Sequence, residues 1–176
     1  MRQRFFIIIG FAAVALVATT AALAGTLTAT ASVTGAAGIS MALPSGPSVS
    51  DTLDGTDQVV SWSAALGLVD ARGSGAGWNL TMSSTTFSDG SGHTLSPGTV
   101  ASVSASCHGG NSCTAATNSI SYPLTLSSTA AKFFNAAAAS GMGKVDVTPS
   151  VDVAIPGNAY AGSYTSTVTL AAATGP

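Results

Sequence analysis

The stretch KVDVTPSVDVAIPG, residues 144–157, decides the fold class of this sequence. Valine or isoleucine occupies positions 145, 147, 151, 153 and 155, and mostly polar residues stand between them. Side chains alternate between the two faces of a β-strand, so this spacing predicts a half-buried strand pair or one long bent strand. Proline lacks the amide donor of a β-ladder, and Pro149 therefore predicts a sheet edge or a β-bulge.

The same period of two recurs along most of the chain. It is present in segments 101–107, 119–126 and 163–171, and turn-like sequences such as LPSGPS, DGSG and HGGNS separate the segments. About eight to ten short strands at this spacing predict an all-β protein with an antiparallel β-sandwich. Residues 129–143, TAAKFFNAAAASGMG, depart from the pattern. They are rich in alanine and end in glycines, which predicts a short helix.

The first 24 residues have the features of an export signal. Two arginines precede an apolar run from Phe5 to about Val17, and a small-x-small pattern follows at residues 22–24. This order predicts a secretory signal peptide over residues 1–24, with an uncleaved membrane anchor as the alternative. We therefore expect a single secreted domain over residues 25–176, with no membrane attachment after cleavage.

Charge is scarce in this chain, since charged residues make up 7% of its 176 positions and glutamate is absent. Beyond residue 24, three basic side chains stand against seven aspartates, a formal charge of −4. Nucleic acid is excluded as a partner because its phosphates require a basic surface. The chain ends without a hydrophobic tail, so any attachment to the cell surface is expected to be non-covalent.

The two cysteines, Cys107 and Cys113, flank a short glycine-containing turn. In an exported protein such a pair predicts a disulfide, and a closed loop of about seven residues gives about 2 kcal/mol of stability. A metal site built from both cysteines, His108 and His93 is the alternative. Zinc takes four protein ligands, or three and a water, so the metal site is the weaker prediction. We expect no metal and no other cofactor.

A glycine-rich stretch, DARGSGAGWNL at residues 70–80, is the strongest candidate for a functional loop. Its glycines, Gly73, Gly75 and Gly77, lack the spacing of a dinucleotide site, and the alternation after them predicts a strand rather than a helix. A nucleophile elbow requires G-x-S-x-G, whereas Ser74 has glycines directly beside it. The remaining interpretation is a β-hairpin, in which one strand leads into the glycine turn and WNLTMSS leads out.

Two side chains of this stretch have alternative interpretations. Trp78 shares one face of the predicted strand with Leu80 and Met82, which indicates a core position, and the alternative is a ligand-facing surface. Arg72 is the only arginine beyond residue 24 and stands at the entrance to the loop. We expect it either to pair with Asp70 or to present its guanidinium fork to a carboxylate or carbonyl of a ligand.

The segment VDARGSGAGWNLTMSSTTF, residues 69–87, resembles the first signature of the WxL family of bacterial surface domains. The closing segment, residues 155–176, is similar to the last signature of that family, with Val168 in place of a second tryptophan. The resemblance implies an immunoglobulin-like β-sandwich that attaches non-covalently to the Gram-positive cell wall, with peptidoglycan or another wall polymer as its ligand. It also implies that the W-x-L residues, Trp78, Asn79 and Leu80, take part in binding, and Arg72 is a further candidate.

Two classes of function follow from these observations. The first is a cell-wall binding module. The second is a structural or interaction subunit of an extracellular complex or filament, which pairs exposed sheet edges with other surface proteins or with itself. An enzyme is not expected, because both histidines lie in glycine-rich turns and no sequence pattern indicates paired acid and base groups.

Overall fold

A computed structural model describes residues 29–176, and the expected signal peptide over residues 1–24 lies outside this part of the chain. Val33–Pro176 forms one compact unit. Residues 29–176 contain eleven strands and no helix, and so no helix that could cross a bilayer. The strands are β1 (Ile39–Ala42), β2 (Gln58–Ser63), β3 (Leu66–Asp70), β4 (Trp78–Ser84), β5 (Phe87–Ser88), β6 (Thr94–Leu95), β7 (Thr99–Cys107), β8 (Leu124–Thr125), β9 (Ala131–Ala136), β10 (Gly143–Ile155) and β11 (Val168–Thr174).

The larger sheet is built around β10, and its strands pair antiparallel. On one side of β10 lies β7, followed by the short β8; on the other side lie β3 and β2, with β1 outside β3. Residues 143–147 pair with β3, and residues 150–155 pair with β2. Pro149 lies between these two stretches, beside a register shift at Ser150 and Val151. The structure contains one long strand, the second of the two predicted alternatives. The β-bulge lies next to Pro149, and its extra residue, Ala101, belongs to β7 opposite Ser150 and Val151.

The smaller sheet has β4 at its centre, between β11 and β9, and a short hairpin of β5 and β6 follows β4 in the chain. The two sheets form a sandwich-like arrangement that encloses the hydrophobic core, because each sheet turns its apolar face inward. The antiparallel all-β prediction is confirmed. The core side chains are Leu66, Leu68, Val100, Val145, Val147 and Val151 from the larger sheet and Trp78, Leu80, Met82, Phe133, Phe134 and Ala136 from the smaller.

The helix predicted over residues 129–143 is wrong, because residues Ala131–Ala136 form the strand β9. A register shift opposite Leu80 leaves Phe133 as an extra residue, and both Phe133 and Phe134 are buried. Helix propensities differ by less than about 1 kcal/mol per residue among ordinary amino acids. Burial of two phenylalanine rings and the ladder with β4 outweigh that preference.

The β-hairpin predicted around the glycine-rich stretch is also wrong. β3 pairs with β1 and β10, whereas β4 pairs with β11 and β9. Residues 71–77 therefore carry the chain from the larger sheet to the smaller one, and we call them the crossing loop. The period of two correctly locates both strands, but it reports only which face of a strand is buried and not which strands pair.

Candidate functional site

A buried ion pair closes the crossing loop. Asp70 is the last residue of β3, and the side chains of Asp70 and Arg72 are only 1% and 8% exposed. The Arg72 guanidinium donates from Nε and Nη2 to the two carboxylate oxygens of Asp70, each at 2.8 Å. Nη2 also donates to the carbonyl oxygen of Gly77 at 2.8 Å. This bidentate pair therefore ties the beginning of the loop to its end.

The ion pair shifts the pKa values of both partners. Hydrogen bonds from Arg72 lower the pKa of Asp70, against the opposing effect of burial. The hydrogen bonds to Asp70 raise the pKa of Arg72. Both groups are thus charged at neutral pH, and the fork of the guanidinium is occupied within the protein. Of the two alternatives for Arg72, the structure contains the pair with Asp70.

The crossing loop requires glycine at its end. Gly73, Gly75 and Gly77 all have φ values between 63° and 70°, a region that other residues rarely adopt. At Gly77 a Cβ atom would also collide with the carbonyl oxygen of Ala136 in β9. The end of the loop therefore passes directly against the backbone of β9, whereas Gly73, whose Cβ position is open, is favoured by its positive φ alone.

Trp78, the first residue of β4, is entirely buried. Its ring centroid lies 5.7 Å from that of Phe134, and its indole nitrogen donates to the carbonyl oxygen of Gly141 at 2.9 Å. A Cβ atom on Gly141 would lie 2.7 Å from the indole nitrogen, so this position requires a residue without a side chain. The structure places Trp78 in the core, with no surface available for direct contact with a ligand.

Asn79 and Leu80 project to opposite faces of β4, as successive strand residues do. Leu80 is fully buried in the core. Asn79 is partly buried, and its Nδ2 donates to the carbonyl oxygen of Gly175 at 2.7 Å, directly after β11. The four candidate binding residues, Arg72, Trp78, Asn79 and Leu80, thus lie at one end of the sandwich without forming an exposed group.

The cysteines lie at disulfide-bonding distance, with the Cα atoms of Cys107 and Cys113 5.5 Å apart. The bond closes the turn after β7, and Cys113 also forms an isolated β-bridge with Gly143 at the start of β10. His108, a member of the alternative metal site, hydrogen-bonds through Nδ1 to Asp146 at 3.0 Å. Within residues 29–176, no three histidine, cysteine or acidic side chains are grouped as metal ligands would be.

A second candidate site, which sequence reasoning missed, is an open depression of about 210 Å³ beside the β5–β6 hairpin. We call it the aromatic cleft. It lies at the opposite end of the sandwich from the crossing loop, because both β4 and β10 begin beside that loop and end toward the cleft. Its lining residues are His93, Thr94, Leu95, Pro156, Asn158, Ala159, Tyr160 and Tyr164.

Tyr160 is the most exposed aromatic side chain of the cleft, with 64% of its surface accessible. Its ring stacks on the imidazole of His93, with centroids 3.8 Å apart and planes 16° from parallel. The hydroxyl group of Tyr164 donates to the carbonyl oxygen of Tyr160 at 2.8 Å. The tyrosine ring is therefore supported on one face and held through its backbone.

The hairpin tip is organised by Asp89. Its carboxylate hydrogen-bonds to Nδ1 of His93 and accepts the backbone amides of Ser91 and His93 at 2.8 and 3.0 Å. The hydrogen bond from the His93 side chain is the main cause that lowers the pKa of Asp89, and the two amides act in the same direction. Ser88 and Thr165 exchange two backbone hydrogen bonds of 2.9 Å, which join the hairpin to the segment before β11.

The sequence contained only a weak signal for this cleft. DGSG at residues 89–92 and IPGN at residues 155–158 are each recognisable as turns, and the spacing Y-x-G-x-Y places two tyrosines near the second turn. The two turns are far apart along the chain and are brought together by tertiary contacts such as the bridge from β5 to Thr165 and the stacking of His93 on Tyr160. No local sequence pattern predicts that contact.

These features define an extracellular β-domain: an antiparallel sandwich with a cysteine pair and a W-x-L strand behind a glycine-rich crossing loop. Residues 26–173 match the family described as WxL domain surface cell wall-binding. The chain therefore belongs to the WxL family, a family of surface cell-wall-binding domains and not of enzymes, and the predicted resemblance and surface localisation are confirmed. A search of curated proteins found no match.

Proposed function

We propose that this chain attaches non-covalently to the peptidoglycan of a Gram-positive cell wall. It acts as a single immunoglobulin-like domain without catalytic activity, after removal of a signal peptide over residues 1–24. The observation that supports the proposal is the match to a wall-binding family over residues 26–173, which spans almost all of the compact unit Val33–Pro176. A β-sandwich with an open cleft suits the binding of a polymer better than the enclosure of a small substrate.

The distribution of charge favours peptidoglycan over the anionic polymers of a cell wall. Arg72 is engaged by Asp70, and Lys132 donates to the carbonyl oxygen of Pro176 at 3.0 Å. An acidic surface with few free cations repels a polyphosphate chain. The acidic surface does not repel uncharged sugars, which are recognised through hydrogen bonds and apolar contacts.

The candidate binding residues support this function through the folded structure. Trp78 and Leu80 are fully buried, Arg72 closes the crossing loop, and Asn79 holds the end of the chain to β4. We propose that their substitution weakens wall binding by disturbing that end of the sandwich. A substitution that leaves the fold intact is then expected to leave wall binding intact as well.

Sedimentation with purified peptidoglycan tests the proposed function. The secreted chain is mixed with sacculi from which the anionic polymers have been removed, and with intact walls as the comparison. We expect the protein in both pellets, and we expect retention to persist at about 1 M salt, where surface charge interactions are screened within about 3 Å. Binding that requires the anionic polymers, or that disappears at high salt, would contradict the proposal.

A second candidate function, an interaction subunit of a surface complex or filament, is favoured by the strand β2. Among the described residues β2 pairs only with β10, and Val59 at its unpaired edge is 61% exposed. An open edge of this kind can accept a strand from another chain. Analytical ultracentrifugation separates the candidates: concentration-dependent polymers that Val59→Lys abolishes would support the second, and a strict monomer would exclude self-assembly.

A further inference from the structure

We propose that the aromatic cleft is the part of the molecule that touches the wall glycan. In this assignment Tyr160 stacks on the apolar ring face of an amino sugar, and the exposed side chains of Asn158 and Thr94 hydrogen-bond its hydroxyl and amide groups. The inference rests on the proposed function and adds to it the site and the chemical class of the contact.

Tyr160 provides the platform for such a contact. One face of its ring rests on His93, and the high exposure of the side chain leaves the rest of the ring open to solvent. A large apolar surface that ends in a hydroxyl group is costly to leave in water and binds ligands with both apolar and polar faces. A sugar ring has such faces, because its carbon-bound hydrogens lie on the ring face and its hydroxyl groups at the rim.

The surrounding groups match the same ligand. Asn158 and Thr94 are exposed members of the lining and offer a carboxamide and a hydroxyl group. These groups both donate and accept hydrogen bonds, as the hydroxyl and acetamido groups of an amino sugar require. The carboxylate of Asp89, which hydrogen-bonds to the lining residue His93, is only 9% exposed and so presents little charge to an uncharged sugar.

The size and the rigidity of the cleft fit a polymer. At about 210 Å³ and open to solvent, the cleft is smaller than the pockets of about 300–1,000 Å³ that enclose small molecules, so it fits a sugar unit or two of a longer strand. Before any ligand arrives, the Tyr160 ring stacks on His93 and the Tyr160 backbone carbonyl accepts a hydrogen bond from Tyr164. A preformed platform loses little conformational entropy on binding.

The test compares three variants of the secreted chain. Tyr160→Ala removes the platform, Tyr160→Phe keeps the ring and loses only the hydroxyl group, and Leu43→Ala is the control at an exposed apolar residue outside the cleft. Each variant is sedimented with peptidoglycan sacculi and titrated with chitotetraose, a soluble amino-sugar oligomer, with chemical shifts as the readout. Thermal unfolding checks that each variant remains folded.

We expect Tyr160→Ala to weaken sedimentation by about tenfold or more, as truncation of a central aromatic contact does at other interfaces. Tyr160→Phe and Leu43→Ala should bind within about twofold of the parent chain, and chitotetraose should shift the signals of His93 and Asn158. If the parent chain binds sacculi and Tyr160→Ala binds equally well, the assignment of the cleft is overturned while the proposed function stands. Binding of free stem peptides in place of chitotetraose would also overturn it, and failure of the parent chain to bind sacculi would overturn both.

Discussion

At the scale of single residues, Arg72 and Trp78 show how polar groups near the core are satisfied. Two nitrogens of the Arg72 guanidinium donate hydrogen bonds to three acceptor oxygens. The indole nitrogen of Trp78 donates one hydrogen bond to a backbone carbonyl oxygen. Removal of one partner leaves a buried polar group without a hydrogen bond. The free-energy cost of that unsatisfied group is larger than the net contribution of the hydrogen bond itself. Both side chains are therefore structural elements of the W-x-L end of the molecule.

Arg72→Ala is expected to lower the free energy of unfolding by about 3 kcal/mol or more, because it leaves the Asp70 carboxylate buried and uncompensated. Arg72→Lys should recover part of this loss, since an ammonium group retains the charge but not the bidentate geometry. Urea unfolding followed by tryptophan fluorescence measures both. A loss below about 1 kcal/mol for Arg72→Ala would show that the ion pair behaves as an exposed one.

Gly141→Ala is expected to destabilise the protein by about 2–4 kcal/mol, from backbone strain at positive φ and from overpacking against Trp78. Gly141 has a φ value of 69°, and a Cβ atom there would lie 2.6 Å from the Cβ of Ala136. Gly46→Ala is the matched control, because a Cβ atom at Gly46 meets nothing within 4 Å. Equal unfolding midpoints for the two variants would contradict the packing described for Trp78.

At the scale of elements, the two wrong predictions have one cause. Residues 131–136 prefer a helix locally, and the two strands around the crossing loop look like partners because they are neighbours in the chain. In the fold, β9 is held by β4, and β3 and β4 belong to different sheets. Pairing and burial depend on residues remote in sequence, so local propensity and proximity decide neither outcome.

Removal of the disulfide tests the closure at the end of β7. Cys107→Ser combined with Cys113→Ser is expected to lower the free energy of unfolding by about 2 kcal/mol, the value for a closed loop of about seven residues. The parent chain should lose the same amount in a thiol reductant, whereas the double variant should not respond. Chemical unfolding with and without reductant measures both effects, and a reductant effect on the double variant would point to another cause.

At the scale of the whole molecule, charge links stability to pH. The pKa of Asp70 is lowered by its hydrogen bonds with Arg72, and the pKa of Asp89 is lowered by His93 and by two backbone amides. The unfolded chain thus binds more protons than the folded chain in acid. The stabilisation is complete above the ordinary aspartate pKa of about 4 and is lost as the pH falls through the lowered values.

We therefore expect the urea midpoint to fall between pH 6 and pH 3, and we expect Asp70→Asn to be less stable at pH 6 but less sensitive to acid. Asp51→Asn is the control, because Asp51 is exposed on a loop. Unfolding curves at a series of pH values measure the slopes. If the urea midpoint of Asp70→Asn falls with pH as steeply as that of the parent chain, groups other than Asp70 cause the acid sensitivity.

The sequence by itself determined the all-β class, the burial of Trp78, Leu80 and Met82 on one face of β4, and irregular strand pairing near Pro149. These are local properties, because alternation and the missing amide of proline act within a few residues. Only the tertiary structure decided that residues 71–77 cross between sheets, that residues 131–136 form a strand, and that Tyr160 stacks on His93. Those outcomes depend on contacts between segments far apart in the chain, and no local pattern encodes the free energy of such contacts.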